Sequence, residues 1–557
     1  MDNYAIADNF SLLAKLMDIH GENSFKTKSY SSAAFTIEKL PMELSALPHD
    51  KIFSIKGIGE TIGKKIIEQL QLGSLPLLDE YLQKTPPGII EMLNIKGIGP
   101  KKISTIWKEL EIESLGELLY ACNENRLTLY KGFGEKTQQN VKEAIEFYLS
   151  NQGSYLYAQT EAFADAISNK LKEAFTSYNF LPTGDYRKHS EIISKLEWVT
   201  NAPANVLNDY FLQHNYQPVA QHDEQVSYKG EENLELMFYI STDNIYLKQF
   251  ITSSSEAFLT EWIEQGAFDK QKQYASEEEI FTDAGAAFVP AYLREKSTAV
   301  AWAKADQLPS VIQEEDITSV IHSHSKWSDG ANTLEEMAKG AMAKGLQYLV
   351  ISDHSKTAFY ANGLTEERLA SQHAEIDELN KKLTPFKIFK SIESDILNDG
   401  SLDYADDVLA TFDLVIASVH SNLKMSEEKA MTRLLKAIEN PYTSILGHMT
   451  GRLLLSRNGY PVDHKKIIEA CAANDVVIEL NAHPRRLDID WRWIDYALEK
   501  NVLISIDPDA HSVDGFADIK YGVLAAQKAG LTKASNLSSF SLPEFEVFIA
   551  KQKAKRK

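Results

Sequence analysis

The sequence predicts a multidomain protein with an all-α N-terminal part, a mixed α+β middle and a C-terminal α/β barrel. Three observations support this prediction. The chain has 557 residues, which is more than one hydrophobic core usually organises. A glycine-rich motif recurs before helix-like stretches in the first 150 residues. From residue 317 onward, apolar runs of strand length alternate with amphipathic helices, as in a parallel sheet or barrel.

The N-terminal motif reads Lys-Gly-Ile-Gly at 56–59 and again at 96–99, with a looser copy at 131–134. Its glycines allow a tight turn with exposed amides, and the helix N-terminus that follows favours an anion. Two near-identical copies resemble helix-hairpin-helix modules, which hold DNA phosphates without reading sequence. Plain helical hairpins are the alternative. The residues expected to contact DNA are Lys56, Gly57, Gly59, Lys96, Gly97 and Gly99.

The middle of the chain, 155–295, alternates short strand-like runs with polar turns and helices. One such run is 234–240, and the stretch 296–317 reads as a connector. The C-terminal part has a clearer pattern, because each apolar run ends in polar, reactive residue types. In barrels, the carboxyl ends of the strands carry the chemistry. The apolar runs are 348–351, 414–419, 444–446, 476–480 and 502–506, and the residues after them include Asp353, His354, His420, His448, Asn481 and Asp509.

Histidines and carboxylates accumulate at these predicted strand ends. His322 and His324 are two residues apart, and so are Asp509 and His511, which places each pair on one face of a strand. A lone histidine after a strand is more often a core or surface residue, but the joint pattern favours a metal site. Imidazole and carboxylate suit zinc, manganese or iron. The ligands are too many for one ion, so two or three ions in one pocket are expected, where bridged metals clamp a phosphoryl group.

The segments 322–330, 352–355, 393–397, 418–420, 447–448 and 509–511 resemble the motifs of the polymerase-and-histidinol-phosphatase (PHP) family. The resemblance extends over about 317–550. It implies a distorted (β/α)7 barrel with three divalent metal ions, two of them bridged by Glu393. His483 matches no ligand position and is expected behind the ligands or facing substrate. The nine implied ligands are His322, His324, Asp329, His354, Glu393, His420, His448, Asp509 and His511.

Three arginines, Arg452, Arg457 and Arg486, follow the later predicted strands. Because a guanidinium fork matches phosphate oxygens, they are candidates for substrate binding. Surface salt bridges are the alternative.

The order of the parts resembles a bacterial family X DNA polymerase, related to DNA polymerase beta, over the whole chain, with 289–295 similar to that family's joining segment. It implies a polymerase-beta-like palm and thumb in the middle. Lys65 matches the lysine that forms a Schiff base at abasic sites, although it or Lys64 could be a solvated helix lysine. The domains expected are a lyase-like helical domain 1–85, a fingers-like helix-hairpin-helix domain 86–153, a degenerate palm and thumb 154–296, a linker 297–316 and a PHP domain 317–557.

The palm departs from the family's metal-binding motif. Asp185 replaces a serine, Lys195 replaces the first aspartate, and Glu197 and Glu235 replace the other two. A protonated lysine repels a cation, and the longer glutamates misplace an octahedral magnesium ion. Asp185 also puts a negative charge where the family binds the incoming triphosphate. We therefore expect a palm that has lost nucleotidyl transfer and remains as a scaffold or DNA clamp.

Composition limits where the protein acts and what it contacts. A net charge of −21 excludes a broad nucleic-acid surface, so any DNA contact must be local. Neither an apolar run of about 18 residues nor a signal-peptide pattern is found, so a cytoplasmic protein is expected. Cys122 and Cys471 are the only cysteines, which suits a reducing compartment and excludes a thiolate-rich zinc site. We expect a monomer.

These features together predict a metal-dependent phosphoester hydrolase of the DNA-repair type. The resemblance implies 3′-to-5′ exonuclease action or 3′-end processing on gapped or nicked DNA, with manganese. A first alternative is a working repair polymerase with PHP proofreading, against which Lys195 speaks. A second is a catalytically silent DNA scaffold, which the complete ligand set disfavours. A third is a small-molecule phosphatase, which has no need of the DNA modules.

Overall fold

A computed structural model describes residues 1–556 except 124–126, 151–152, 223, 231–232, 267–268, 270 and 456–457. The chain forms two compact units, Met1–Gln152 and Gly153–Lys557. In these described ranges no helix has both the length and the apolar character needed to cross a membrane. Both cysteines are buried and form no disulfide.

The first unit is all helical around one apolar core. The helix Glu60–Leu72 follows the first glycine motif and Pro100–Lys108 follows the second, as the sequence predicts. Both helices turn isoleucines into the core, including Ile62, Ile66 and Ile103. The helices are α1 Asn3–His20, α2 Ser24–Glu38, α3 His49–Ile52, α4 Glu60–Leu72, α5 Pro76–Lys84, α6 Pro87–Glu91, α7 Pro100–Lys108, α8 Leu115–Asn123 and α9 Glu135–Ser150.

The second unit begins with a five-stranded sheet of order β2-β4-β7-β6-β5. Strands β4 and β7 run parallel in its centre, and the other neighbours are antiparallel. Aromatic side chains, among them Trp198, Phe211 and Phe238, fill its core. The elements are β1 Tyr155–Leu156, α10 Tyr157–Ala174, β2 Phe180–Thr183, α11 Gly184–Arg187, β3 Ile192–Ile193, β4 Lys195–Thr200, α12 Ala204–Gln213, β5 Gln217–His222, β6 Gln225–Lys229 and β7 Glu235–Ile240.

A small helical layer with its own core follows this sheet. The stretch expected to be a linker contains a helix, because Ala299, Val300 and Ala303 are buried in this core. Apolar positions three and four residues apart give that helix an inward face. The bounds of the five predicted segments stay predictions. The helices are α13 Ile245–Thr252, α14 Glu256–Glu264, α15 Glu277–Asp283 and α16 Thr298–Lys304.

The rest of the unit is a barrel of seven parallel strands in sequence order, from β8 to β14. The first and last strands meet at their carboxyl ends, where Ser323 and Ala510 form a parallel bridge and the His324 amide donates to the Ala510 carbonyl at 2.8 Å. This confirms the predicted barrel. The strands are β8 Ser319–Val320, β9 Tyr348–Ile351, β10 Lys387–Asp395, β11 Leu414–Ser418, β12 Ile445–Leu446, β13 Val477–Asn481 and β14 Ile504–Asp507.

Helices surround this barrel, and the C-terminal helix covers the amino ends of its strands. The C-terminal helix α24 places Phe545 on Tyr348, with ring centroids 4.5 Å apart, in a core that includes the strand residues Leu414 and Val477. Because the amino ends of the strands are filled with apolar side chains, polar side chains collect at the carboxyl ends. The helices are α17 Leu334–Ala343, α18 Glu366–Lys382, α19 Asp406–Leu409, α20 Glu427–Ile438, α21 His464–Ala473, α22 Ile494–Glu499, α23 Ile519–Ala529 and α24 Leu542–Ala554.

Candidate metal centre

The carboxyl ends of the barrel strands bring together side chains that are far apart in sequence. The loops after β8, β9, β11, β12 and β14 supply the histidines, and β10 itself supplies a glutamate. All but a few of these side chains are buried, His511 being the most exposed at 42%. Eight of the nine predicted ligands form three groups whose nitrogen and oxygen atoms lie within 4.8 Å of one another: His324, Asp329, His354 and His511; His322, His324 and Asp509; and His354, Glu393 and His420.

Glu393 lies at the centre of these groups. Its Oε1 is 3.0 Å from His420 Nε2 and 3.0 Å from His448 Nε2, while its Oε2 is 3.0 Å from His354 Nδ1. The ninth predicted ligand, His448, therefore joins the cluster through Glu393. A carboxylate with both oxygens among imidazole nitrogens has the arrangement expected of a bridging ligand.

Atoms in this cluster fit cations, because several are buried without hydrogen-bond partners. His322 Nε2, His324 Nδ1 and Glu393 Oε2 are all shielded from solvent and make no hydrogen bond to any described residue. Burying polar atoms without hydrogen-bond partners costs free energy, and a bound cation would offset that cost. Nitrogen and oxygen donors of these kinds suit zinc, manganese or iron.

Charges within the cluster shift the pKa values of its members in opposite directions. Burial lowers the pKa of His322, but neighbouring carboxylates, Asp509 first, outweigh it and raise that pKa well above the usual value. Burial raises the pKa of Glu393, but the surrounding histidines, His420 first, hold it well below its usual range. Burial and the nearby imidazoles lower the pKa of His324 to about 3. The carboxylates are therefore ionised and attract a cation, and a bound cation would replace the proton that the raised pKa leaves on His322.

The polymerase-like site of the five-stranded sheet holds an internal ion pair. Lys195 Nζ lies 2.8 Å from Glu197 Oε1, and the Tyr239 hydroxyl donates to the same oxygen at 2.8 Å. The Asp185 amide donates to Glu197 Oε2 at 3.2 Å, and Glu235 lies across from Lys195 in the strand register. Burial lowers the pKa of Lys195, but Glu197 outweighs it, so the ammonium is retained. The four degenerate positions therefore lie near the amino ends of the central strands β4 and β7, and one of them is the positively charged Lys195.

Comparison with known proteins agrees with this architecture. Residues 1–75 match a helix-hairpin-helix domain, 89–146 a SAM-like helix-hairpin-helix tandem and 321–483 a PHP domain. The chain is 33% identical to the DNA polymerase/3′-5′ exonuclease PolX of Bacillus subtilis strain 168, over 96% of this chain and 97% of that protein. The chain belongs to the PolX family of bacterial family X DNA polymerases with a C-terminal PHP domain.

Two probable phosphatases of other bacteria match a smaller part of the chain. The probable phosphatase TTE1963 of Caldanaerobacter subterraneus is 30% identical over 29% of this chain and 60% of its own length. The probable phosphatase Teth514_1060 of Thermoanaerobacter is 27% identical over 38% of this chain and 86% of its own length. Part of this PolX chain is thus similar to probable phosphatases.

The glycine motifs of this PolX chain form the expected turns in the first unit. Gly57 and Gly97 have φ values of 93° and 95°, which only glycine adopts readily. Gly59 and Gly99 are the N-caps of α4 and α7 and have no side chain to cover the amides. Both lysines, Lys56 and Lys96, are exposed beside these turns. Lys65 lies on α4, where its ammonium is 2.5 Å from Glu68.

The predicted arginines have different surroundings. Arg452 donates to the carbonyls of Arg486 and Leu487 and pairs with Asp490 at 2.6 Å, so its guanidinium fastens a loop after β13. The Arg486 Nε is 3.7 Å from Asp509 Oδ2, close to the cluster. Arg457 lies outside the described residues.

Sequence reasoning missed the carboxylates that orient the ligands. Glu479 Oε1 is 2.5 Å from His322 Nδ1, and Asp395 Oδ1 is 2.6 Å from His420 Nδ1. Such a carboxylate selects the ring tautomer and aims the other nitrogen at a cation. Asp395 follows Glu393 by two residues on one strand, so it carried a sequence signal, whereas Glu479 lies inside an apolar strand and carried little. His483, which matches no ligand position of the PHP motifs, accepts a hydrogen bond from the Arg485 amide.

Proposed function

We propose that the protein is a metal-dependent 3′-to-5′ exonuclease or 3′-end-processing hydrolase of DNA repair, acting through the PHP site. The observation that carries the proposal is the nine-residue cluster at the open end of the barrel, in a chain of the PolX family. Exonuclease activity is part of the name of its Bacillus relative. The matches to phosphatases support phosphoester hydrolysis as the barrel's chemistry.

Three groups of ligands support three ions, although their number and identity are part of the proposal. His322, His324 and Asp509 would hold one, and His354, Glu393 and His420 a second. Asp329 and His511 would hold a third ion together with His324 and His354, each of which also belongs to one of the other two groups. When bound, such ions polarise a phosphoryl oxygen and lower the pKa of a bound water, and manganese is the ion we expect for activity.

The chain's own residues orient and shield the site. Glu479 and Asp395 hold the His322 and His420 rings in one tautomer and one direction. Asp353 accepts from the amide and hydroxyl groups of Ser325 and Ser328, which holds the loop that carries Asp329. Arg486 is the arginine best placed to contact a phosphate near the cluster, and Arg452 supports its loop.

DNA binding through the two glycine hairpins is the second part of the proposal. Helix N-termini without covering side chains, with Lys56 and Lys96 beside them, offer amides and charge to a phosphate backbone. We expect gapped or nicked DNA as substrate, and we expect the protein to be a monomer. Two buried cysteines that form no disulfide suit the reducing cytoplasm, where we expect the protein to act. Lys65 is retained as the candidate lyase lysine.

We further propose that nucleotidyl transfer is lost. The Lys195–Glu197 ion pair puts a positive charge where the family needs metal ligands. The Lys195 ammonium would repel a magnesium ion bound at Glu197. The Glu197 carboxylate already has three donors, namely the Lys195 ammonium, the Tyr239 hydroxyl and the Asp185 amide. A cation site cannot form there without breaking these contacts.

The test uses gapped DNA labelled at the 5′ end of the strand with the free 3′ end, manganese, and nucleotides present or absent. We expect shortening in both conditions, and its loss in the His322→Ala, His324→Ala double variant. His222→Ala, an exposed histidine on β5, is the control that should behave as wild type. Extension by both the wild type and the double variant would contradict the proposal. Hydrolysis of histidinol phosphate without shortening of DNA would favour the small-molecule phosphatase.

A further inference from the structure

A solvent-exposed aromatic side chain lies on a loop that is hydrogen-bonded to the metal centre. Phe359 is 86% exposed, the highest value among the large hydrophobic side chains in the described ranges. It lies on the loop after β9, five residues beyond the predicted ligand His354. An exposed phenyl ring contributes no burial to the fold, so its position calls for another explanation.

Hydrogen bonds fasten the loop to the metal centre on one side. The Thr357 amide donates to Asp403 Oδ2 at 2.7 Å, and the Thr357 hydroxyl donates to Asp395 Oδ2 at 2.6 Å. Asp395 is the same carboxylate that holds His420. Because two residues span at most about 7 Å, the Phe359 backbone lies within that distance of Thr357.

The other side of the loop is fastened equally well. The Asn362 side chain donates to the carbonyls of Trp327 and Ser328 at 3.3 Å each. A Cβ on Gly363 would meet the Ser355 carbonyl oxygen at 1.9 Å, so the two ends of the loop pack directly on each other. Ala358 and Ala361, which belong to the same loop, are buried. The position of the ring is therefore set by an ordered backbone.

We propose that Phe359 is the stacking platform for the nucleobase at the 3′ end of the DNA strand whose terminal phosphoester enters the cluster. The inference rests on the proposed function. Every base has a π-face, so a single ring beside the cleavage site holds any terminal nucleotide regardless of sequence. Protein interfaces require far more apolar area than one ring. Among the described side chains of this loop, Ala358 and Ala361 are buried and add no apolar surface to that of Phe359.

Fluorescence of 2-aminopurine tests the stacking directly. The probe is a single-stranded oligomer with 2-aminopurine at its 3′ terminus and a phosphorothioate last linkage, titrated with the full-length protein and manganese. We expect quenching by the wild type and by Phe359→Tyr, and its loss in Phe359→Ala and Phe359→Leu. Val547→Ala is the matched control, because Val547 is an apolar side chain that is 71% exposed and lies on α24 at the opposite end of the barrel.

Kinetics on unmodified oligomers supply the second measurement. Phe359→Ala should raise KM by roughly 5- to 150-fold, the range expected for one lost base stack, with kcat changed far less. The change should vanish on an oligomer whose 3′-terminal sugar lacks a base. Equal quenching and equal KM in wild type and Phe359→Ala would overturn the inference while leaving the exonuclease proposal intact. Ring-dependent quenching by a wild type that shortens no DNA would overturn the proposed function alone.

Discussion

Single residues behind the metal ligands determine how well the centre is organised. Glu479 is fully buried, and its two oxygens divide their work. One contacts His322 Nδ1 at 2.5 Å and the other accepts from the His448 amide at 2.5 Å. The same carboxylate therefore orients a ligand after β8 and a ligand after β12. The nine cluster residues were singled out by residue types at strand ends and by the family resemblance, and their role as ligands stays a prediction. Glu479 was not predictable, since it contacts a residue 157 positions away.

Replacing Glu479 with glutamine should weaken metal binding. The amide keeps the shape but loses the charge that favours one His322 tautomer, so we expect affinity for manganese to fall by about 10–100-fold. Competition against a chromophoric chelator measures this effect without reference to catalysis. Glu469→Gln, an exposed glutamate on α21, should leave affinity unchanged. Equal affinities in Glu479→Gln and wild type would show that Glu479 does not position the ligand.

Between elements, a buried ion triad ties the palm-like sheet to the helical layer behind it. Glu277 on α15 pairs with Arg187 at 2.6 Å and with Arg294 at 2.7 Å, and Arg294 is fully buried. Both terminal nitrogens of Arg187 contact Glu277. Burial raises the pKa of Glu277, but the two guanidinium groups outweigh it and lower that pKa to about 2.

Acid should therefore weaken this unit by protonating Glu277. The pKa of the carboxyl is lowered from 4.5 to about 2 on folding, so its stabilising contribution is complete above pH 4.5 and is lost as the pH falls toward 2. Glu277→Gln leaves the buried Arg294 and the half-buried Arg187 without their counter-charge and should lower the free energy of unfolding by about 3–5 kcal/mol at pH 7.

Urea unfolding, followed by tryptophan fluorescence at several pH values, measures this difference. The difference in free energy of unfolding between wild type and Glu277→Gln should become smaller below pH 4.5. Glu264→Gln, an exposed glutamate on α14, should unfold as wild type at every pH. A gap that is constant with pH would mean that the charge of Glu277 does not stabilise the unit.

For the whole molecule, the net charge of −21 means that DNA is held by small local sites against a repelling background. We expect the glycine hairpins of the first unit to provide such sites, because backbone amides at a helix N-terminus donate hydrogen bonds to a phosphate. Their geometry was predictable in full, since a turn, a glycine with positive φ and a helix N-terminus are all local in sequence. Which DNA structure they hold stays a prediction.

The salt dependence of DNA binding reports these contacts. Lys56→Ala and Lys96→Ala should each reduce the slope of log affinity against log salt by about 1, and the double variant by about 2. The reductions should be the same for unrelated DNA sequences. Fluorescence anisotropy over a potassium chloride series measures the slopes, with Lys381→Ala on α18, 70% exposed at its side chain, as the control. An unchanged slope in the double variant would place the DNA elsewhere.

Local sequence patterns were enough to predict the class of each part, because hydrophobic period, glycine turns and strand-end histidines extend over a few residues at a time. They gave no apolar run for β10, because Lys390, Ser391 and Glu393 interrupt its pattern. Which atoms meet depends on tertiary packing. Closure of β8 against β14 joins His324 to Asp509, and strand register joins Lys195 to Glu235. Such contacts depend on how distant segments pack, and no local pattern encodes them.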